Sequence, residues 1–281
     1  MSLIDVACSL HYQVLAPTSF LFNIAAMPTA FQKIVSESCC SQPQVALPFA
    51  GIGNEGNRVL RLRLNPCELQ LEYSAQVELQ PQVSDAGEVG EIAFQELPQE
   101  VLPYLNPSRY CESDRLARLA LREFSRFAPG HQRVQAICDW VYGQLQYLSG
   151  STDARSSACD VLVQGAGVCR DFAHLAIALC RAICIPARYV SGYALSLEPP
   201  DFHGFFEAYL DGGWYLFDAT RMASKQGLVR IGSGRDAADV SFASIIGNAM
   251  LLGMQVSAIE VDGTVPQGGD EQAVSTAQSL G

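Results

Sequence analysis

The stretch GAGVCRDFAHLAIALCRA, residues 165–182, decides how the rest of this chain is interpreted. Its two glycines let the backbone turn sharply, and an apolar pattern with helical period follows them directly. Cys169 therefore falls at or beside the first residue of a helix, where unpaired N–H groups and the helix dipole stabilise negative charge. Because the thiolate is the reactive form of a cysteine, this placement makes Cys169 a candidate nucleophile.

The other nine cysteines lack that placement. Cys138, Cys180 and Cys184 fall inside predicted helices, and Cys67 begins a predicted strand. Cys180 and Cys184 are four residues apart and could bind a metal together, but free thiols are more often small buried core side chains. The sequence has no CxxC pair, so the strong zinc-ribbon signature is absent, and no acidic loop resembles an EF-hand. We predict neither a metal nor a cofactor, since thiol chemistry needs none. Irregularly spaced cysteines in a chain of this length indicate free thiols, and we expect a cytoplasmic protein.

The amino-acid composition limits the classes of partner that this chain can bind. Lys and Arg total 18 against 29 acidic residues, which gives a formal net charge of −11. Such a surface repels phosphate backbones and anionic lipid, so we expect no nucleic-acid or membrane partner. No apolar run reaches the roughly 18 residues of a membrane-spanning helix, and the first residues lack the pattern of an export signal. Nothing in the sequence indicates an oligomeric state.

The chain has 281 residues, which is enough for two domains. Strand periodicity and helical periodicity divide it into regions. Residues 1–85 consist of short alternating stretches between turn residues, which predict an antiparallel β-sandwich. Residues 86–262 begin with amphipathic helical patterns and end in strand patterns, which predicts an α+β core. Residues 263–281 are rich in Gly, Gln and Ser, a composition typical of a disordered tail.

Particular elements stand out within these regions. Helical spacing predicts helices over 113–127, 131–148 and 169–182, and strand alternation is clearest in ELQLEYSAQVEL, residues 68–79. The apolar residues that share one side of this last strand are Leu69, Leu71, Tyr73, Ala75 and Val77.

A nucleophilic cysteine needs a histidine, and the chain has four. His11 lies in the β segment, and His131 opens a helix, where a solvent-exposed cap is expected. His174 follows Cys169 by five residues, which places it about 140° around the helix from the thiol. A histidine in that position is more often a packed or capping side chain than a base. His203 lies in a loop just ahead of a strand and is free to point into a cleft.

The histidine in turn needs an orienting acid. Asp218 ends the strand that pairs with the strand of His203, and Glu207 competes with it, although Glu207 lies about 13 Å from His203 along a regular strand. A tight turn through Gly212 and Gly213 would pair Asp218 with a residue near Phe206. Opposing Asp218 to His203 then requires a longer loop or a bulge, so periodicity alone leaves this register open.

Three motifs in order resemble the transglutaminase-like cysteine-protease superfamily, in particular its bacterial branch. They are GAGVCRDFA (residues 165–173), HGFFEAY (residues 203–209) and WYLFDAT (residues 214–220). The resemblance covers about residues 113–240, and residues 1–80 resemble the N-terminal β domain of this branch. The sequence departs from the pattern at Phe205, where the family usually has Trp, and at Cys184, where it usually has Gly.

The resemblance implies a papain-like, transglutaminase-like core, with the nucleophile helix packed on an antiparallel β-sheet. It places Cys169, His203 and Asp218 as a catalytic triad. It also places Tyr147 where the transglutaminases have an oxyanion-binding tryptophan, so the Tyr147 hydroxyl would donate beside the Cys169 N–H, with plain packing of Tyr147 equally open. The candidates for lining the cleft are Phe205, Asp171, Arg235 and Asp236, and solvated surface charge is an equal interpretation for the last two.

The function implied is thiol-dependent acyl transfer through an acyl-enzyme thioester. Hydrolysis of an amide bond in a peptide or protein substrate is the first expectation. The alternatives are transfer of the acyl group to an amine, which is true transglutamination, and a non-catalytic binding module on the same fold.

Overall fold

The computed structural model describes residues 2–53, 55–261 and 272–277, and its helices and strands lie within these ranges. The α-helices are α1 (Ser113–Phe124), α2 (His131–Gln144), α3 (Ala158–Gln164) and α4 (Cys169–Ala182). The strands are β1 (Ser2–Val14), β2 (Thr18–Phe22), β3 (Gln32–Gln42), β4 (Phe49–Ile52), β5 (Asn57–Leu64), β6 (Cys67–Leu79), β7 (Gln82–Asp85), β8 (Gln146–Tyr147), β9 (Ala166–Gly167), β10 (Ala187–Ala194), β11 (Phe202–Leu210), β12 (Gly213–Phe217), β13 (Leu228–Gly234), β14 (Ala243–Ile246), β15 (Ala249–Glu260) and β16 (Gln272–Ser275). Short 3₁₀ turns occupy Ala86–Glu88, Phe94–Glu96, Gln99–Leu105 and Lys225–Gly227.

The N-terminal sandwich consists of two four-stranded antiparallel sheets. Their strand orders are β15-β1-β6-β3 and β14-β2-β5-β4, and the inner side chains of both sheets form one apolar cluster. The alternation in β6 confirms the predicted strand, because every residue assigned to its apolar side is buried: Leu69, Leu71, Tyr73, Ala75 and Val77. Burying one face of each strand in this way fixes the pairing register.

Sheet membership does not follow the boundaries at residues 85 and 262 that periodicity predicts. β14 pairs with β2 and β15 pairs with β1, so two strands assigned to the core complete the N-terminal sheets instead. β7, at the end of the N-terminal region, joins the core sheet by pairing with β16. An apolar strand has the same alternating pattern whichever sheet it joins, so the pattern cannot show its partner.

The predicted disordered tail is wrong over residues 272–277. β16 lies between β12 and β7 in the core sheet, where the side chains of Ala273 and Val274 are fully buried. The segment is too short and too mixed in composition for its sequence to predict a strand. It forms one because the core sheet supplies a pairing partner on each side. The rest of the predicted tail, residues 263–271 and 278–281, lies outside the described residues.

The core is a six-stranded antiparallel sheet of order β13-β10-β11-β12-β16-β7 with the helices packed against it. The helix α4 packs on β10 and β11 and contacts α1, α2 and α3 as well. Small side chains at Ala173, Ala176 and Ala178 allow this close packing, and the helix is buried from Asp171 to Arg181. The predicted helix over 131–148 ends at Gln144, since residues 146–147 form β8 and pair with β9 beside Cys169.

The placement of β15 predicts a contrast between two substitutions in that strand. Val256 is buried in the sandwich and pairs with Cys8, whereas Ile259 is 63% exposed. Val256→Asp should lower the free energy of unfolding by about 2–4 kcal/mol because it buries a charge, and Ile259→Asp should change it by less than about 1 kcal/mol. Urea unfolding followed by circular dichroism measures both, and equal losses would contradict the packing of β15 in the sandwich.

Candidate active site

Cys169 is the first residue of α4, as the sequence predicts. Gly165 ends α3 in the left-handed conformation with φ of 71°, and the chain then pairs through β9 with β8. Gly167 is needed for a different reason, since a Cβ there would lie 2.7 Å from the Cβ of Asp171. Together these contacts leave the Cys169 side chain half-buried at the start of the helix.

Asp171 does not line the cleft, contrary to the expectation from the sequence. Its side chain is fully buried and turns back toward the residue before the helix, where Oδ2 accepts the Val168 N–H at 2.9 Å. The same oxygen accepts the Thr152 hydroxyl at 2.5 Å, and Oδ1 accepts the Arg170 guanidinium at 2.8 Å. A carboxylate in the first turn favours this arrangement, because it satisfies an N–H group that has no partner within the helix.

The hairpin of β11 and β12 brings His203 and Asp218 together without a register shift. A two-residue turn at Asp211 and Gly212, both with positive φ, joins the strands and pairs Phe206 with Phe217. Continued by one residue, this register places Asp218 opposite Phe205 and makes it a diagonal neighbour of His203. Diagonal neighbours lie close enough for long side chains to meet, so the longer loop or bulge expected from the sequence is absent. The His203 Nε2 lies 3.1 Å from Asp218 Oδ2.

The turn after β12 surrounds the Asp218 carboxylate with donors. Oδ1 accepts the Thr220 N–H at 2.9 Å and the Thr220 hydroxyl at 2.7 Å, and Oδ2 accepts the Ala223 N–H at 3.2 Å. Burial raises the pKa of Asp218, but the charge and hydrogen bonds of His203 and Thr220 outweigh burial and hold the pKa below its usual value. The carboxylate is therefore ionised and fixed in orientation.

The imidazole of His203 is buried between its partners. Burial lowers its pKa, but the charge and hydrogen bond of Asp218, with a smaller contribution from the Cys169 thiol, raise the pKa to about 10. Asp218 engages Nε2, and Nδ1, which has no hydrogen-bond partner among the described residues, is the nitrogen left to take the thiol proton. The Phe205 ring packs edge-on against the imidazole with centroids 4.6 Å apart. Phe205 is fully buried, so it supports His203 and does not line the cleft as predicted.

Tyr147 lies beside the nucleophile. Its ring packs 5.9 Å from that of Phe172 and is 39% exposed, so it forms part of the open surface near Cys169. Its hydroxyl lies close enough to Cys169 for the backbone and the side chain of that residue to affect the pKa of the phenol. Partial burial, together with Cys169, raises the pKa of Tyr147 to about 12, so the phenol keeps its proton at neutral pH.

The remaining acidic and basic candidates have other partners. Asp236 is buried and accepts the N–H groups of Tyr110 and Ala238, both at 2.9 Å, so it does not line the cleft. Arg235 is half-exposed and pairs with Asp239 at 3.1 Å. Neither contacts the three residues of the predicted triad.

The competitors of His203 and Asp218 are likewise occupied. His174 is buried, its Nε2 accepts the Ala237 N–H at 3.1 Å, and burial lowers its pKa to about 3. His131 is buried against Phe217 rather than solvent-exposed as predicted, and burial lowers its pKa to about 4. Glu207 forms ion pairs with two arginines and cannot orient His203.

Comparison with known proteins identifies the family. A model described as "Transglutaminase-like superfamily" matches residues 122–219, and one described as "Bacterial transglutaminase, N-terminal domain" matches residues 3–99. A crystal structure from Cytophaga hutchinsonii described as "a Putative Cysteine Protease" is 42% identical, has a TM-score of 0.93, and covers 98% of this chain and 97% of its own. The chain belongs to the transglutaminase-like superfamily. Its α+β fold, with an N-terminal β domain and a transglutaminase-like core, is confirmed.

Curated relatives of this transglutaminase-like chain include mycobacterial proteins. An uncharacterized protein of Mycobacterium leprae is 33% identical over 196 residues, which are 64% of this chain and 68% of the relative. An uncharacterized protein of Mycobacterium tuberculosis is 42% identical over 86 residues, which are 29% of this chain and 27% of that protein.

The transglutaminase-like site also holds groups that sequence reasoning missed. The carboxyl of Asp201, in the loop before β11, interacts with His203 and Tyr147, and burial raises its pKa. An acidic residue in a loop belongs to no periodic pattern, so nothing in the sequence pointed to Asp201. Thr220 could have been found, because it is the last residue of the WYLFDAT motif. Within the described ranges, no helix could span a bilayer and no group of three or more His, Cys, Asp or Glu could hold a metal.

The ion pair of His203 and Asp218 predicts a pH dependence. A folded-state pKa of about 10 against an ordinary 6.5 contributes stability that is complete below pH 6.5 and is lost as pH rises toward 10. In Asp218→Asn, His203 stays buried but loses the neighbouring negative charge, so the pKa of His203 should fall below 6.5. NMR titration of the imidazoles measures this change, with the buried His174 as the control that stays neutral. Titration of wild-type His203 near pH 6.5 would contradict the ion pair.

Proposed function

We propose that this protein is a thiol-dependent acyl-transfer enzyme that uses Cys169, His203 and Asp218. The observation that carries the proposal is the arrangement of His203, which interacts with the Cys169 thiol while its Nε2 is bonded to a buried carboxylate. Covalent acyl transfer requires three parts, which are a nucleophile, a base beside it and a group that orients the base.

In the first half-reaction the Cys169 sulfur attacks the carbonyl carbon of an amide. The proton that leaves the Cys169 thiol is held by His203, the S–C bond forms, and the C–N bond breaks as His203 gives this proton to the leaving amine. Asp218 stabilises the imidazolium and fixes its orientation, and the N-terminal end of α4 stabilises the charge on sulfur. The product of this step is an acyl-enzyme thioester.

Tyr147 and the backbone of Cys169 are suited to hold the oxyanion. The Tyr147 side chain is 39% exposed, and its hydroxyl lies close to Cys169. Both groups can donate to the oxygen that becomes negative when the carbonyl is attacked, and a donor of this kind is worth about 10²–10³ in kcat.

Water completes the reaction that we favour, and the enzyme is then a peptidase or amidase acting on a peptide or protein substrate. The protease description of the 42% identical Cytophaga protein supports this choice. An amine acceptor would make the enzyme a transglutaminase, and the same thioester serves both. A non-catalytic module would not need a histidine beside the cysteine or a buried aspartate bonded to that histidine.

Alkylation tests the nucleophile without a known substrate. Under limiting iodoacetamide at neutral pH, Cys169 should be labelled at least tenfold faster than Cys40 and Cys184, although both of those thiols are exposed and Cys169 is half-buried. The protonated His203 is the physical reason, so His203→Ala should remove most of the difference. Peptide mapping by mass spectrometry measures each rate.

The two exposed cysteines are the internal control for this experiment. If accessibility alone governed labelling, Cys40 and Cys184 would react first. That outcome, or a Cys169 rate that is unchanged in His203→Ala, would contradict an activated nucleophile.

The fate of the thioester is tested with casein in two parallel assays. We expect release of peptides from casein, no incorporation of a fluorescent amine into dimethylated casein, and loss of activity in Cys169→Ala. Tyr147→Phe should lower kcat by about 10²–10³-fold with little change in KM, since it removes one oxyanion donor. Amine incorporation without proteolysis would replace the hydrolase by the transferase.

A further inference from the structure

A second recess lies away from Cys169, between the sandwich and the core. Its volume is about 820 Å³, and it is bordered by the tip of the β4–β5 hairpin, the strand β13 and the turn Gln99–Leu105. This is the size of pockets that hold small organic molecules. The residues that line it do not include Cys169, His203 or Asp218.

The floor of this recess carries an excess of positive charge. Glu207 is fully buried there between Arg188, whose Nε donates to it at 2.7 Å, and Arg230, whose Nη1 donates at 3.3 Å and whose Nη2 also bonds to it. Both arginine side chains are more than nine-tenths buried. Two buried cations against one buried anion leave a surplus of one positive charge, and a buried surplus charge is strongly unfavourable without a partner.

Glu55 supplies the missing negative charge. One of its oxygens accepts from Arg188 and from the Ser233 hydroxyl, the latter at 3.3 Å, and its other oxygen accepts the Tyr104 hydroxyl. Donors from three separate elements therefore converge on one carboxylate. The Glu55 side chain is 24% exposed, so it enters this recess from the solvent side.

We propose that the recess binds a small organic carboxylate with an apolar body, whose carboxylate group takes the place of that of Glu55. Arg188, Tyr104 and Ser233 then donate to the ligand as they do to Glu55. The lining beyond these donors includes Met27, Pro28 and Pro103, which suit the apolar part of the molecule. The Nε–H of Arg230, also in the lining, is buried and has no hydrogen-bond partner among the described residues.

The exchange needs only a rotation of the Glu55 side chain into solvent. The backbone nearby is anchored by Asn57, whose amide accepts the Ser233 N–H at 2.9 Å and donates to the Ser233 carbonyl at 2.8 Å. Tethered in this way, Glu55 competes with a free carboxylate at an effective concentration on the order of millimolar or higher. Binding to the wild-type protein is therefore weak, and removal of the Glu55 carboxylate strengthens it.

The experiment measures binding of 3-phenylpropionate by isothermal titration calorimetry to the wild-type chain and to Glu55→Ala. We expect at least tenfold tighter binding in Glu55→Ala and none of the neutral amide, 3-phenylpropanamide. In the Glu55→Ala background, Tyr104→Phe should weaken binding several-fold because it removes one donor but keeps the ring. If Glu55→Ala does not fold, Glu55→Gln is used instead, because it removes the charge and retains the shape of the side chain.

Glu37→Ala is the matched control. Glu37 also accepts from an arginine and a tyrosine, Arg58 at 2.7 Å and Tyr73 at 3.1 Å, but it does not line this recess. An equal gain in binding by Glu37→Ala would show that any unpaired arginine suffices and would overturn the proposal. Equal binding of acid and amide, or no gain in Glu55→Ala, would overturn it as well.

A second arm separates the two sources of such a carboxylate, a free acid and the C-terminus of a peptide. The tripeptide Ala-Ala-Phe is compared with its C-terminal amide on the same variants. Binding of the free tripeptide but not its amide assigns the recess to peptide C-termini, and binding of 3-phenylpropionate alone assigns it to free acids. Failure of both acids to bind overturns the proposal, and none of these outcomes depends on the activity of Cys169.

Discussion

The carboxylate of Asp171 fixes the start of α4 and with it the position of the nucleophile. It bonds the backbone N–H that precedes Cys169, the hydroxyl of Thr152 and the guanidinium of Arg170. Because the helix beyond it is buried on all sides, neither its axis nor its first turn can shift independently of the core. The hairpin that carries His203 packs on the same helix, so nucleophile and base share one rigid support.

Local signals made much of this arrangement predictable from the sequence. The glycines before Cys169 and the apolar period after it indicate a helix that begins at the cysteine, and the alternation of β6 indicates its buried face. The order of Cys169, His203 and Asp218 came from the resemblance to a family rather than from periodicity. The first two of these inferences use residues that are close together in the sequence, the range over which a pattern constrains its own geometry.

Pairings between distant residues could not be predicted in this way. Asp218 reaches His203 along a diagonal of the hairpin, a contact that depends on a two-residue turn with positive φ. The pairing of β15 with β1 joins residues more than 200 positions apart, and the segment 272–277 becomes a strand only because the core sheet offers an edge on each side. The burial of His131 and Asp171 likewise depends on surroundings that no single stretch contains.

The return of β14 and β15 to the sandwich also sets the order in which the chain can fold during synthesis. The first sheet has β1 at its edge, and the second has β2, until residues 243–260 have been made. The core lies between these segments, and a ribosome that adds about 5–20 residues per second needs roughly ten seconds or more to make it. Throughout that interval both edges are open to pairing with other chains. The sandwich is thus synthesised first but cannot close until the helices of the core have been made.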